Sequence, residues 1–468
     1  MQLFAHDDPR PIHFLGVAGA GMSALALLAR RRGVPVTGCD RDPEGPGAAS
    51  NTADVRRAGG TVLAGHDPGH VSGCRAVIVT AAVAPDNPEL ARARALGIPI
   101  VRRADALAAA TAPGRVVAVA GTHGKTTTTA MTTLALAAAG LDPTGIAGGR
   151  VASWSGSTRF GGDGVFVVEA DEYDKAFLAL SAEVAVINNV EADHLECYGS
   201  IQALEEAFVE FARPARRVIA GADDPGACRV ATRTERPTWT VGVAAQADVR
   251  LTAVRQSPAG SRAAVALPGA GTAELKLKVP GLHNLRNAAA ALAVTLELGA
   301  SVEAALGALA AFEGVGRRFE LVGSAAGVTV VDDYAHHPTE IAATLEGARQ
   351  AYPRRRLVAV FQPHLYSRTA LHAAGMGRAL SPADVVVVTE VYAAREAPVA
   401  GVSGKLVADA AARPGNEVVW VPARADLVAQ VASLVREGDV VLTLGAGDVT
   451  AVGRELLARL GQRRGGSA

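Results

Sequence analysis

Short apolar runs recur along the chain, at residues 12–17, 76–79, 116–120, 165–168, 184–187, 357–361, 385–388 and 440–444. Each leads into a turn rich in glycine or polar residues, and Ala/Leu-rich stretches lie between them. Runs this short, apolar and β-branched read as strands buried on both faces of a parallel sheet. The stretches at 24–31, 127–139 and 287–298 have the length and composition of the crossover helices that parallel strands require. The pattern predicts an α/β protein throughout. Residues 245–279 differ: Thr, Val and Leu alternate with polar residues there, which predicts a small antiparallel appendage.

A chain of 468 residues is too long for one hydrophobic core. At roughly 100–200 residues per domain, three domains are expected. Breaks at 111–114 and 313–318 suggest boundaries giving 1–112, 113–319 and 320–468. No internal repeat is evident, and the tail at 462–468 is expected to fray. Lys plus Arg total 46 and Asp plus Glu total 46. That balance gives no reason to expect nucleic acid or an anionic membrane as a partner. The polar start at 1–10 predicts no secretory signal, and no apolar run is long enough to cross a membrane. The four cysteines, Cys39, Cys74, Cys197 and Cys228, are far apart and form no C-x-x-C pair. Their spacing predicts neither a disulfide framework nor a zinc site, and suits a reducing cytoplasm.

Two glycine turns carry candidate chemistry. In the first, the strand at 12–17 runs into Gly16, Gly19, Ala20, Gly21 and Met22. Glycines here let backbone N–H groups approach a diphosphate at the positive end of a helix. Ala18 stands where the dinucleotide fingerprint asks for glycine, and Asp40 ends the next strand, where it can meet ribose hydroxyls. This segment alone does not separate NAD from a UDP-sugar, or either from a tight turn that binds nothing.

The second turn is Gly121-Thr122-His123-Gly124-Lys125-Thr126-Thr127, with an apolar strand before it and a helix-forming stretch after it. It is a shortened phosphate loop. Stacked N–H groups cradle phosphates, Lys125 supplies charge, and Thr126 offers a hydroxyl to Mg²⁺. Mg²⁺ prefers oxygen ligands, and Glu169, at the end of the strand 165–168, is placed to hold it, with Asp171 and Glu172 beside it. His194 follows a third strand end in Glu191-Ala192-Asp193-His194. Either metal proximity or simple packing suits it.

Taken together, the motifs at 16–22, 121–127, 169–172, 189–194, 283–287, 316–319, 332–338 and 361–369 identify the chain as similar to the Mur ligases over nearly its whole length. The resemblance implies an N-terminal Rossmann-like UDP-sugar domain, a central P-loop ATPase with a mostly parallel sheet, and a C-terminal Rossmann-like domain for the amino acid. It implies ATP-dependent joining of L-alanine to the carboxylate of UDP-N-acetylmuramate through an acyl phosphate, in a cytoplasmic enzyme of cell-wall synthesis. A relative adding a peptide or another amino acid is the alternative, and an NAD-dependent oxidoreductase or a nucleotide switch is a more distant one. By the resemblance, Lys125 contacts ATP, while Thr126, Glu169 and His194 surround one or two Mg²⁺ (or Mn²⁺) ions. His283, Asn284 and Asn287 lie where the family holds adenine, and Arg318 and Asp333 reach the nucleotide. Tyr334, His336 and Arg368 match the amino-acid pocket. A monomer or a homodimer is expected. Asn284 and Asn287 could also serve only as helix caps.

Overall fold

The computed structural model describes residues 3–45, 48–154, 156–257, 260–394 and 396–465. The end of the tail expected to fray, residues 466–468, lies outside them; the last helix runs Thr450–Gly465. The first sheet contains β1 (Ile12–Leu15), β2 (Val36–Asp40), β3 (Thr61–Ala64), β4 (Ala76–Val79) and β5 (Ile100–Arg102). Its order is β3-β2-β1-β4-β5, and every pairing is parallel. This is a doubly wound order whose direction reverses between β1 and β4, where such sheets bind ligands.

The second sheet contains β6 (Arg115–Ala120), β7 (Thr144–Val151), β8 (Gly156–Arg159), β9 (Val165–Glu169), β10 (Val184–Ile187), β11 (Arg217–Gly221) and β12 (Thr238–Gly242). It continues through β13 (Val249–Ser257), β14 (Gly260–Leu267) and β15 (Gly271–Leu277). The order is β15-β14-β13-β12-β11-β10-β6-β9-β7-β8. The expected antiparallel appendage forms the sheet's own edge, joined to it where β13 pairs in parallel with β12. The third sheet contains β16 (Glu320–Ala325), β17 (Val328–Asp333), β18 (Leu357–Phe361), β19 (Val385–Thr389), β20 (Glu417–Val421) and β21 (Val440–Leu444). Its order is β16-β17-β21-β18-β19-β20, parallel except for the edge strand β16. The fold is three-domain α/β.

By contacts, the chain forms two compact units: Met1–Thr252 with Ala264–Glu274 and Arg286–Leu309, and Ala253–Ala263 with Leu275–Leu285 and Ala310–Ala468. The first sheet and β6 to β12 of the second share a unit, in which the helix Ala20–Arg31, which follows β1, packs against β7 and β8. Arg31 donates to the Gly161 carbonyl at 3.1 Å, and Arg32 pairs with Asp163 at 3.0 Å.

The predicted strand at 12–17 stops at Leu15, because Gly16 turns the backbone to φ +83°. The helix after the phosphate loop starts at Lys125. It is rich in threonine, a modest helix former, yet most of its residues are buried. Thr133 returns its hydroxyl to the Thr129 carbonyl at 2.7 Å, so packing and back-bonding override propensity. Behind β9 and β10, Phe177 stacks on Phe211 at 4.9 Å and meets Phe208 edge-on at 5.0 Å, all buried.

Phe177→Ala removes this stack's centre. A loss of about 3–5 kcal/mol is expected for the unit that contains it, read by urea unfolding followed by circular dichroism.

Candidate functional site

The carboxyl end of β6 opens into the phosphate loop, and two glycines give the loop its shape. Gly121 has φ +135° and Gly124 has φ +78°. A Cβ at Gly124 would stand 2.8 Å from Asn287 Oδ1, and one at Gly121 3.1 Å from the Asn188 and Asn189 backbone nitrogens. Any side chain at either position would be strained and crowded. Gly124 also caps the helix Lys125–Ala138, so its first N–H groups and the positive helix end face the loop.

Residues from the end of β10 hold the loop in place. Asn189 accepts from the His123 N–H through its side chain at 2.7 Å and from the Thr122 N–H through its carbonyl at 3.1 Å. Asn188 donates to the His123 carbonyl and to the Thr128 hydroxyl. His123 Nε2 lies 2.8 Å from Glu191, and the Glu191 N–H donates to Thr122 Oγ1 at 2.9 Å. The Val190 N–H donates to half-buried Asp224 at 2.9 Å, which ties this strand end to the next.

Lys125 folds back over the loop. Its Nζ donates to the Gly121 carbonyl at 2.7 Å and to both Glu172 oxygens at 2.8 and 2.7 Å. Burial works against the ammonium, but the attraction of Glu172, Asp171 and Glu169 outweighs it and holds Lys125 above its ordinary value. The lysine is therefore a fixed positive charge at the loop. Tyr198, whose hydroxyl donates to the Glu172 carbonyl at 2.5 Å, anchors the acid from behind.

Glu169 ends β9 and accepts from the Gly148 N–H at 2.6 Å. Thr126 is buried in the first turn of the loop helix. His194 adopts φ +53° as the cap of a short helix, with its ring edge-on to Tyr173 at 5.1 Å. Among the described residues, no set of three His, Cys, Asp or Glu donors within 4.8 Å of one another includes Glu169 or His194. A hydroxyl, a carboxylate and an imidazole still suit a hard divalent cation that keeps phosphate oxygens as its other ligands.

A cleft of about 980 Å³ opens at the reversal point of the first sheet. Its walls include Gly16, Gly19, Ala20, Gly21, Met22 and Asp40, so the whole first glycine turn faces one space. Glu169 and Gly148 line the same cleft. Asp40 is not wholly available to a ligand, because one of its oxygens accepts from the Ala18 N–H at 3.2 Å. Arg103 lines the cleft too and pairs with Asp171 at 3.7 Å. No local motif marks Arg103; the approach of its helix to Gly21 puts it there.

In the second unit, the carboxyl ends of β17 and β18 gather Arg318, Asp333, Tyr334, His336 and Arg368. Asp333 accepts from the Phe319 and Ala335 N–H groups at 2.7 and 2.8 Å. Burial pushes its carboxyl up to about 6 against the pull of Arg318 and these two bonds. Arg317 and Arg318 lie over the Tyr334 ring at 4.8 and 5.1 Å. Tyr334, His336, His364 and Tyr392 form a ladder of rings with successive centroids 5.3, 6.1 and 5.8 Å apart. Arg368 Nη1 lies 3.3 Å from His364 Nδ1, and Glu340 reaches His336 at 3.2 Å and Arg318 at 3.5 Å. His283 is the second residue of the helix Leu282–Glu297, and Asn284 donates to the Pro280 carbonyl at 2.7 Å. Asn287, one turn on, packs at the phosphate loop, beyond a capping role.

Sequence reasoning placed Glu172, Asn189 and His364 in or beside named motifs without giving them a role, and it passed over Asn188, Arg103 and Tyr392. Glu172 stood in an acidic run in which no spacing rule singles out the lysine's partner. Asn188 and Asn189, as a polar pair after an apolar strand, offered the only local signal.

Comparison with known proteins shows to which family the chain is similar. The model of the Mur ligase family catalytic domain matches residues 11–115, that of the Mur ligase middle domain 119–295, and that of the Mur ligase glutamate ligase domain 317–447. The chain is 47% identical to a UDP-N-acetylmuramate–L-alanine ligase from Kineococcus radiotolerans, over 97% of this chain and 96% of that one. It is 42% identical to the enzyme of that name from Salinibacter ruber, over 98% and 96%. Among solved structures, a UDP-N-acetylmuramate–alanine ligase from Thermotoga maritima superimposes with TM-score 0.81 at 33% identity, covering 97% of this chain and 99% of that one. A murein peptide ligase from Psychrobacter arcticus gives 0.72 at 28%, covering 97% and 99%.

The raised Asp333 carboxyl has a definite sign. Its folded value, about 6, lies above the ordinary aspartate value of 3.8, so its contribution to stability is full below about 4 and is lost as pH rises through 6. Relative to Asp333→Asn, the second unit is expected to lose up to about 3 kcal/mol between pH 4 and pH 6.5, measured by unfolding across that range.

Proposed function

The chain belongs to the Mur ligase family, and on that footing we propose that it joins L-alanine to the carboxylate of UDP-N-acetylmuramate with conversion of ATP to ADP and phosphate. One observation supports this most: the cleft lined by the first glycine turn is also lined by Glu169, at the end of a strand adjacent to the phosphate-loop strand. A sugar acid held in that cleft and a triphosphate held on the loop would meet at one carboxylate.

A free carboxylate is anionic and has a poor leaving group, so an amine does not displace its oxygen. Transfer of the γ-phosphoryl group to that oxygen forms an acyl phosphate, and attack by the alanine amine then expels phosphate. Lys125 neutralises charge on the transferring group, and the loop N–H groups hold the other phosphates. Thr126, Glu169 and His194 are the residues that would hold Mg²⁺ (or Mn²⁺), which when bound supplies positive charge to the phosphoryl oxygens and the sugar acid. Arg103 and the turn at Gly16–Met22 take the diphosphate of the UDP-sugar. His283, Asn284 and Asn287 are assigned to adenine, Arg318 and Asp333 to the nucleotide, and Tyr334, His336 and Arg368 to alanine. The domain limits 1–112, 113–319 and 320–468 belong to the same reading, as do a cytoplasmic location and a part in cell-wall synthesis. No helix among the described residues is long and apolar enough to cross a membrane.

The likeness to a murein peptide ligase supports a second reading, in which the acceptor amine is that of a peptide or another amino acid. ADP release measured with each amino acid and peptide in turn separates the two.

Lys125→Ala is expected to lower kcat by about 10²–10³-fold or more while leaving UDP-sugar affinity within a few-fold; near-normal turnover would remove the loop from the reaction. Carboxyl ¹⁸O in the sugar acid is expected to appear in released phosphate, detected by mass spectrometry, and unlabelled phosphate would exclude the acyl phosphate.

A further inference from the structure

Glu89 lies in the first turn of the helix Pro88–Ala95 and is fully buried beside the first sheet. Among the described residues its ion-pair partners are three imidazoles, those of His13, His66 and His70, and no lysine or arginine. Its two oxygens have different tasks. Oε1 accepts from the Asp67 N–H at 3.1 Å and lies 2.9 Å from His70 Nδ1. Oε2 is the point on which a thiol and an imidazole converge, Cys39 Sγ at 3.1 Å and His13 Nε2 at 3.2 Å. His66 Nδ1 lies 3.4 Å from the same sulfur, and His66 lines the cleft.

We propose that His13, Cys39 and Glu89 form a binding site for a zinc-class divalent cation, whose remaining position opens on the side where His66 lies beside the Cys39 sulfur. The donor atoms of the first three all lie within 4.8 Å of one another. In a tetrahedral zinc site with bonds of about 2.0–2.3 Å, neighbouring donors stand about 3.3–3.6 Å apart, close to the 3.1 and 3.2 Å that separate Glu89 Oε2 from Cys39 Sγ and His13 Nε2. A thiolate in the set, beside imidazole and carboxylate, favours zinc over Mg²⁺, a hard cation that prefers oxygen donors and does not take sulfur.

Charge points the same way. Burial by itself would raise the Glu89 carboxyl, but the hydrogen bonds from His13, Cys39 and His70 outweigh it and bring the group down to about 2, so it is a carboxylate. Burial and the neighbouring Glu89 carboxylate push the Cys39 thiol up, so the empty site holds a thiol that becomes a thiolate only when a dication displaces its proton; one carboxylate and one thiolate then balance that dication. On binding, the Cys39 S–H bond breaks, its proton leaves to solvent, and the sulfur electron pair forms the bond to the metal, with no change of oxidation state. The outer contacts are in place: His13 Nδ1 lies 2.9 Å from Thr37 Oγ1, the kind of bond that fixes the ring of a metal-bound histidine. The ligands come from β1, β2 and the helix after β4, which is why cysteine spacing predicted no zinc site.

The test uses the full-length protein, stripped with chelator and titrated with Co²⁺ in excess Mg²⁺, which keeps oxygen-rich sites filled. The expected result is one Co²⁺ per chain with tetrahedral d–d absorption and a thiolate-to-cobalt charge-transfer band. Cys39→Ser is expected to abolish that band and weaken Co²⁺ binding at least tenfold, while Cys74→Ser and Cys197→Ser keep both. Zn²⁺ is expected to displace the cobalt and to raise the melting temperature of the stripped wild-type protein but not of Cys39→Ser. Absence of the band, or a band that survives Cys39→Ser, would overturn the proposal and leave a network of hydrogen bonds around Glu89.

Discussion

A phosphate can be held by backbone N–H groups only if the chain exposes several of them at once without leaving them unsatisfied in a dry interior. Here that constraint is met at the carboxyl end of β6. Gly121 and Gly124 take backbone conformations that crowd out any side chain, and Gly124 hands the chain to a buried helix. Asn188 and Asn189 close the far side of the loop from the next strand. The lysine at the helix start is charged before any phosphate arrives, because Glu172 and two loop carbonyls already compensate it. On the proposed reading, a nucleotide would replace an existing carboxylate partner at Lys125 and would not have to create a charge in a buried place.

The acids beside this loop divide their tasks by where β9 ends. Glu169 faces the cleft and is fixed by the Gly148 N–H, while Glu172, three residues on, turns inward to the lysine. Between Glu172 and Phe177 the chain passes through Asp174 and Lys175 at φ +53° and +56°, conformations seldom adopted by side-chain-bearing residues. The buried Phe177 stack and the Tyr198 hydroxyl hold both ends of that segment. Packing thus sets which carboxylate meets which partner.

In the second unit the same economy of polar groups is seen at Asp333. Its carboxyl is fully engaged by two backbone N–H groups and shapes the turn that displays Tyr334 and His336. Arg317 and Phe319, on either side of Arg318, take left-handed backbone angles, so the strand-entry loop is bent around this aspartate. The ring ladder from Tyr334 to Tyr392 then forms one wall from residues that lie far apart in the chain.

Much of the architecture was legible from the hydrophobic pattern alone, since strands buried on both faces must be apolar throughout and the crossovers between them must be helical. The apolar runs at 116–120, 184–187, 357–361 and 440–444 are strands, and both glycine turns stand at strand ends. Less apolar strands such as β3, β8 and β20 lie at or near sheet edges, where burial on one side weakens the pattern, and they carried no clear signal. The glycines, lysine and threonine of the phosphate loop were readable because their spacing in the chain is itself the chemistry. Pairings set across strands were not. Lys125 with Glu172, Gly21 with Arg103, His364 with Tyr392, and His13, Cys39 and His66 around Glu89 are chosen by sheet order and helix packing. Local propensity and spacing decide which segments fold into strands and turns, whereas the low dielectric and close packing of the assembled sheets decide which charges meet inside them.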